Sequence, residues 1–286
     1  LQLQGDLEAA KEAFDRALII MQTRFGSDHL NVALVLGNLG AVLLMQRKLM
    51  AARVSLDQAL RVAERHLGSY HTTVAVMLNN LGEVMRLSGD LPGAKAAYER
   101  SLAIDEQLLG PDHPNVAVRL SNLGRALQGM GDLAGARAAL ERALRIEEIH
   151  FGPVHGRIAS RLNNLGLVIR QQGDSAAAQA VFERAVETAE AVYGPEHAEV
   201  AAIVFNLGLA FQSQGRLAEA RSCYERAIRI DERLYGEDNP RVAPRLKSFG
   251  QRLQEMGDLP GARAAFERAL AIETAAYGER HSRLAD

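Results

Sequence analysis

Tryptophan is absent from this chain, cysteine occurs once, and aromatic residues make up 5% of the total. A single cysteine rules out an internal disulfide framework and fits a reducing compartment. So few rings leave no stacking platform for unpaired bases. Neither sign of charge is in excess: 33 basic residues stand against 35 acidic ones, a net charge of −2. That balance gives no general pull toward nucleic acid or anionic lipid. Long apolar runs are missing too. The most apolar stretch, Val32 to Met45, is interrupted by Gly37, Asn38 and Gly40 and is too short to span a bilayer. These absences point to a cytoplasmic protein without nucleic-acid or membrane partners.

What the chain has is a period. Asn-Leu-Gly occurs at Asn38-Leu39-Gly40, Asn80-Leu81-Gly82, Asn122-Leu123-Gly124, Asn164-Leu165-Gly166 and Asn206-Leu207-Gly208, each copy 42 residues after the last. Ser248-Phe249-Gly250 keeps the register. Two breaker series share it. Gly-Asp recurs at Gly5, Gly89, Gly131, Gly173 and Gly257, thins to Gly215-Arg216, and is lost at Arg47-Lys48. A second glycine follows a ring or a leucine, from Phe25-Gly26 to Tyr277-Gly278. A length of 286 residues alone implies one or two globular domains. The period replaces that with one quasi-linear array, in which each unit buries its core against its neighbours.

Residues 113–152 serve as the type unit. Pro114 suits the first turn of a helix. Val116, Leu120, Leu123 and Leu127 then recur at intervals of three and four, which makes one helical face. Gly131-Asp132 breaks that helix, here called A. A second helix, B, is expected from about Leu133 to Phe151, with Ala136, Ala139, Leu140, Ala143, Leu144 and Ile146 as its stripe. Gly152-Pro153 ends it. The period sets a partial repeat at 1–28 (a B-helix from about 6 to 25). Full repeats follow at 29–68, 71–110, 113–152, 155–194, 197–236 and 239–278, and a further one starts at 279–286. Leu1 aligns with Leu127, inside a helix, so the chain is expected to be a piece of a longer protein. Pro244, inside the last A-helix, is expected to kink it or delay its start.

Leu-Gly on helix A is followed on helix B by Ala-x3-[Phe/Tyr/Leu]-x2-Ala, as in Ala10/Phe14/Ala17, Ala52/Leu56/Ala59, Ala178/Phe182/Ala185, Ala220/Tyr224/Ala227 and Ala262/Phe266/Ala269. This pattern resembles the tetratricopeptide repeat (TPR). The 42-residue period, the long B-helix and the Leu-Gly-x-x-His-Pro link resemble its kinesin-light-chain class. The tryptophan often found near the start of the first helix in that family is replaced by Leu36, Leu78, Leu120, Leu162 and Val204. The resemblance implies an all-α, right-handed superhelical solenoid of antiparallel helix pairs, with A-helices lining a concave inner wall. It also implies a non-catalytic scaffold that binds an extended peptide. The alternative is a structural, self-association or regulatory array within a larger multidomain protein; an alanine- and arginine-rich, lysine-poor composition leans toward a bacterial signalling protein.

Residues that could carry chemistry have plainer uses. His29, His71, His113, His155 and His197 fall one per unit, with His281 continuing the series and Asn239 interrupting it. Neighbours in such a series lie at least a helix-packing distance apart, about 8–10 Å, too far to share a metal. They read as link residues that cap or pack the next helix. Cys223 sits where other units place Ala13, Ala97, Ala139 or Ala265 and reads as core. Recurring Glu-Arg pairs such as Glu141-Arg142 read as a solvated face or a contact between units, with Glu141 in reach of Arg145. No phosphate loop, nucleophile elbow or metal motif appears, so neither enzyme activity nor a cofactor is expected.

The asparagines differ. On a helical wheel Asn122 lies about a quarter turn from the core face, in one lane with Asn115, Val118, Arg125 and Gly129. If that lane faces the concave wall, each repeat offers an amide that can pair with peptide backbone. The expected groove comprises Asn38, Asn80, Asn122, Asn164 and Asn206, joined by Asn79, Arg86, Arg125, Gln128, Asn163, Arg170 and Gln212. Leu34, Ala41, Met45, Val76 and Leu87 make its N-terminal end apolar, and the arginines make its centre basic. Asparagines that tie neighbouring helices together are the competing expectation. The A-helix of the first full repeat is apolar on nearly every side, which leaves self-association through it open.

Overall fold

The computed structural model describes residues 2–278, with side chains from residue 6 onward. The further repeat expected at 279–286, with His281, lies outside the described residues. Thirteen α-helices and no strand occur among them. They are α1 (Gln2–Phe25), α2 (Leu30–Met45), α3 (Leu49–Leu67), α4 (Thr72–Leu87), α5 (Leu91–Leu109), α6 (Pro114–Gly129) and α7 (Leu133–Phe151). The remainder are α8 (Gly156–Gln171), α9 (Ser175–Tyr193), α10 (Ala198–Ser213), α11 (Leu217–Tyr235), α12 (Ala243–Glu255) and α13 (Leu259–Tyr277). The architecture is an all-α solenoid of helix pairs.

The chain folds as two compact units, Leu1–His150 and Phe151–Asp286. In the first, α2 pairs with α3 and α4 with α5, while α3 packs on α4 and α5 on α6. Val32, Leu36, Ala59, Ala63, Val74, Met77, Leu78 and Ile104 form one continuous core there. Val116, Leu120, Ala139, Ala143 and Ile146 join α6 to α7. In the second unit α8 pairs with α9, α10 with α11 and α12 with α13, and α9 packs along α10.

The Gly-Asp signal performs two tasks at each A-to-B turn. Gly131 takes a left-handed φ of 82°, which a β-carbon would penalise. The following aspartate then caps helix B. Asp90, Asp132, Asp174 and Asp258 accept the N–H of Gly93, Gly135, Ala177 and Gly261 at 2.9–3.0 Å. Lys48 and Arg216, which replace the aspartate, make no such bond. Arg47 replaces the glycine and is forced to φ 61°, the one non-glycine with positive φ among the described residues. Arg47→Gly is therefore expected to stabilise the first unit by about 1 kcal/mol, read as a higher urea midpoint with an unchanged m-value.

Two elements depart from their expected bounds or explain them. α1 does not turn at Gly5-Asp6 but runs as one helix from Gln2. α12 starts at Ala243 instead of position 240, the register of α4, α6, α8 and α10. Pro244 clashes with helical backbone four residues earlier, so it is tolerated only in the first turn, where it now sits.

Candidate functional site

All five Asn-Leu-Gly strings lie on A-helices, and each residue of the string has its own task. Leu39, Leu81, Leu123 and Leu165 are buried. The glycine lets the paired B-helix come close. A β-carbon on Gly82 would sit 2.8 Å from the Tyr98 ring, and one on Gly166 2.6 Å from Phe182.

Four of the five asparagines divide into two groups, and Asn164 is half-buried on α8. Asn122 Nδ2 donates to Asn79 Oδ1 at 2.8 Å, and Asn206 Nδ2 donates to Asn163 Oδ1 at 2.8 Å. These bonds run from one A-helix to the preceding A-helix, and they consume four of the amides placed in the groove from sequence. The acceptor register is Asn79 and Asn163 but Gly37 before Asn80. Asn80 thus meets a backbone with no side-chain acceptor, and its one amide neighbour, Asn79, lies at a long 3.5 Å. Asn38 is exposed on α2.

Around these two amides the first unit forms a cleft of about 170 Å³ between α2 and α4. Leu34, Gly37, Val76 and Met77 make it apolar, and Asn38, Thr73 and Asn80 provide its polar groups. Leu34 and Val76 are 40% and 46% exposed. Of the apolar residues of α2, Val32, Ala33, Leu36, Val42 and Leu43 are buried inside the unit, so the surface left uncovered on it is mainly Leu34 and Met45.

Two of the three arginines placed in the groove, Arg86 and Arg125, are not free cations. Arg86 binds Glu83 through two bonds of 2.7 and 2.9 Å, and Arg125 lies 3.6 Å from the same carboxylate. Tyr98 donates its hydroxyl to Glu83 at 2.8 Å. Burial pushes the Glu83 carboxyl upward, but the bonds from Arg86 and Tyr98 and the Arg125 charge hold it below its ordinary range. In the second unit Gln212 accepts from Tyr224 at 2.6 Å and donates to Glu255 at 2.9 Å. Arg170 and Gln128 are half-buried.

Every link histidine among the described residues is a helix cap. His29, His71, His113, His155 and His197 accept the N–H two residues on through Nδ1, at 3.1–3.2 Å. His29, His155 and His197 also stack on Phe25, Phe151 and Tyr193. Asn239 makes the equivalent bond with Oδ1, accepting from Arg241 at 3.0 Å, although α12 itself starts later, at Ala243. His113→Asn is therefore expected to leave stability unchanged and His113→Ala to cost about 1 kcal/mol, a difference that thermal unfolding resolves. Cys223 is half-buried, and burial pushes its thiol up to about 11, so it carries no thiolate at neutral pH. Among the described residues no cluster of three histidine, cysteine or acidic side chains could hold a metal ion.

The B-helices carry a ladder of charge. Arg100, Arg142, Arg226 and Arg268 reach Glu64, Glu106, Glu190 and Glu232 on the preceding B-helix. The recurring arginine is thus a contact between repeats. Glu141 meets Arg137 at 2.8 Å, one turn back, instead of Arg145. Sequence reasoning missed two ion pairs, the buried Asp105–Arg119 at 2.9 Å and the partly buried Asp231–Arg245 at 2.8 Å. Their signal was present: charge at two positions where another repeat places Ala63 and Met77.

The tetratricopeptide repeat model matches residues 1–65, 73–148, 157–233 and 200–275. The chain belongs to the tetratricopeptide repeat family. No curated protein matches it. Among solved structures, this TPR chain is similar to BtubC (BKLC) of P. vanneervenii, with 24% identity, a TM-score of 0.65, and 83% of this chain and 94% of that one covered. A Podosopora anserina protein with nearly identical TPR-like repeats, assigned to the kinesin light chains, shares 21% identity at a TM-score of 0.63, over 72% of this chain and 98% of that one. RapI in its apo form shares 16% identity at a TM-score of 0.71, over 94% and 92%. These likenesses support the fold. TPR arrays are typically protein-interaction scaffolds without catalysis of their own. No helix among the described residues is long and apolar enough to cross a membrane.

Proposed function

We propose that this TPR array is a cytoplasmic, non-catalytic scaffold that binds an extended segment of a partner protein along its A-helices, with the α2/α4 cleft as the anchor. The observation that carries the reading is the break in the asparagine ladder at Gly37. It leaves the amides of Asn38 and Asn80 beside an apolar floor of Leu34, Val76 and Met77. An apolar partner side chain buried there contributes about 1.5–3 kcal/mol. The two amides can pair with the N–H and C=O of the segment that carries it. Asn122 and Asn206 serve as helix ties in this reading, and Arg86 and Arg125 reach a ligand only by releasing Glu83. An array of similar fold, a Rap protein, has been solved in complex with Competence and Sporulation Factor.

A pull-down from the cell's own lysate tests this with two variants. Asn38→Ala/Asn80→Ala is expected to lose partners that the parent chain captures, with its circular dichroism unchanged. Asn122→Ala/Asn206→Ala is expected to keep those partners and unfold at lower temperature, by about 1 kcal/mol per lost bond. Equal capture by the first variant and the parent would exclude the cleft as the anchor. Self-association is the second reading, favoured by Met45 at 63% exposure beside Leu34 on α2. It requires a concentration-dependent dimer in light scattering that Met45→Lys abolishes.

A further inference from the structure

The second unit has a separate cleft, of about 380 Å³, between α11, α12 and α13. Its floor is apolar: Ile228 from α11, and Leu246, Phe249 and Leu253 from α12. Two local features combine to open it. The late start of α12 leaves α11 in sparse contact with it, whereas α9 packs along α10. Across the gap α13 presents the small residues Gly261, Ala264 and Ala265, with Arg268 at the rim. α5 and α7 carry the same small residues, Gly93/Ala96/Ala97 and Gly135/Ala138/Ala139, but they face A-helices of full length. α11 presents the larger Glu219, Ser222 and Cys223 at those positions.

The rim of the cleft is charged, and its charges are not equally engaged. Arg221 is held by Glu225 and by Asp258 at 2.9 and 2.8 Å. Arg268 is held by Glu232 at 2.6 Å. Arg229 is exposed, lines the cleft, and has no carboxylate paired with it among the described residues. One repeat earlier the same position is Glu187. The cleft therefore offers an apolar floor, one uncommitted guanidinium, and two carboxylates already occupied.

We infer that this cleft binds a small amphipathic monocarboxylate, its apolar body on Ile228, Phe249 and Leu253 and its carboxylate on the guanidinium of Arg229. A concave, mostly apolar cavity with a single well-placed polar group is the usual form of a small-ligand site, and this volume lies at the lower end of their range. Arginine matches a carboxylate through two parallel N–H donors. Glu225 and Glu232 flank the position and disfavour a dianion such as a phosphate monoester. The site lies wholly within the second unit, so it stands or falls independently of the α2/α4 cleft.

The test is a titration of the 286-residue chain with 4-phenylbutyrate, followed through the backbone amide resonances of Gly261, Ala264 and Ala265. A saturable shift at these amides is expected. Both Arg229 and Ala264 are exposed, so Arg229→Gln and Ala264→Phe should fold normally, which circular dichroism verifies. Arg229→Gln is expected to weaken binding roughly tenfold, the effect of one charge-assisted bond. Ala264→Phe is expected to abolish it by filling the cleft. 4-Phenylbutan-1-ol is expected to bind the parent chain roughly tenfold more weakly than the acid, and Arg229→Gln to erase that preference. Absence of a saturable shift, equal affinity in Arg229→Gln, or equal affinity for the alcohol would each overturn the proposal. The last outcome would make the cleft an apolar anchor for a partner's side chain.

Discussion

Arg119→Met is expected to destabilise the first unit by about 3–5 kcal/mol, and adding Asp105→Ala should recover most of that loss. Arg119 and Asp105 are 7% and 1% exposed and meet at 2.9 Å. Removing the guanidinium alone leaves a carboxylate in the core with neither water nor a counter-charge. Removing both partners leaves an apolar contact that this protein already builds twice. The same positions are Ala63 and Met77 one repeat earlier, packed together in one core, and Ala189 and Ile203 later in the chain, both buried. The array thus contains its own substitution series, in which charged and apolar residue pairs occupy one register. Urea unfolding of Arg119→Met, Asp105→Ala and the double variant measures the coupling. Additive losses would show that the pair contributes nothing as a pair.

Gly208→Ala carries the second large effect. A β-carbon there would sit 2.5 Å from Tyr224 Cε1 and 3.2 Å from the Ala220 carbonyl oxygen. The ring cannot yield. It is fully buried, lies 4.7 Å from Phe205, and is held by its hydroxyl bond to Gln212. Overpacking of this kind costs about 1–3 kcal/mol, while alanine's better helix propensity returns about 1. Because the neighbouring groups are fixed, the clash should dominate, with a net loss of about 2 kcal/mol. Gly124→Ala should cost less, since its closest contact is a looser 2.9 Å, to Leu140 Cγ, and no ring is involved. Tyr224→Leu, which copies Leu140, should relieve part of the Gly208→Ala penalty. If the two losses add instead, the ring is not what makes glycine necessary here.

Much of the fold is legible because its causes are local. The A-helix stripe of Val116, Leu120, Leu123 and Leu127 needs only 3.6-residue periodicity. The turns need only a glycine that accepts φ near 80° and an aspartate whose carboxylate reaches three residues ahead. The histidines are legible as link residues for the same reason, since each bonds an N–H two residues away. The candidate site is only half legible. The wheel places Asn80 and Asn122 in one lane and gives them one role. Their roles differ because of what the preceding A-helix presents: Asn79 to Asn122, and Gly37 to Asn80. Arg86 and Arg125 fail as a basic patch for the same kind of reason, because Glu83, one repeat before Arg125 in the same register, neutralises both.

From the sequence alone come the period, the helix pairs, the turn chemistry, the small residues where helices touch, and the absence of any catalytic motif. Those follow from bonding and sterics within a few residues, and 42-residue recurrence multiplies the signal. Tertiary structure alone decides which polar groups remain available. The Asn122–Asn79 bond spans 43 residues and the Arg142–Glu106 bond spans 36. Whether such bonds form depends on helix spacing and rotamer, which no local pattern encodes. The two clefts arise in the same way, one where glycine leaves a gap in a ladder and one where a proline delays a helix.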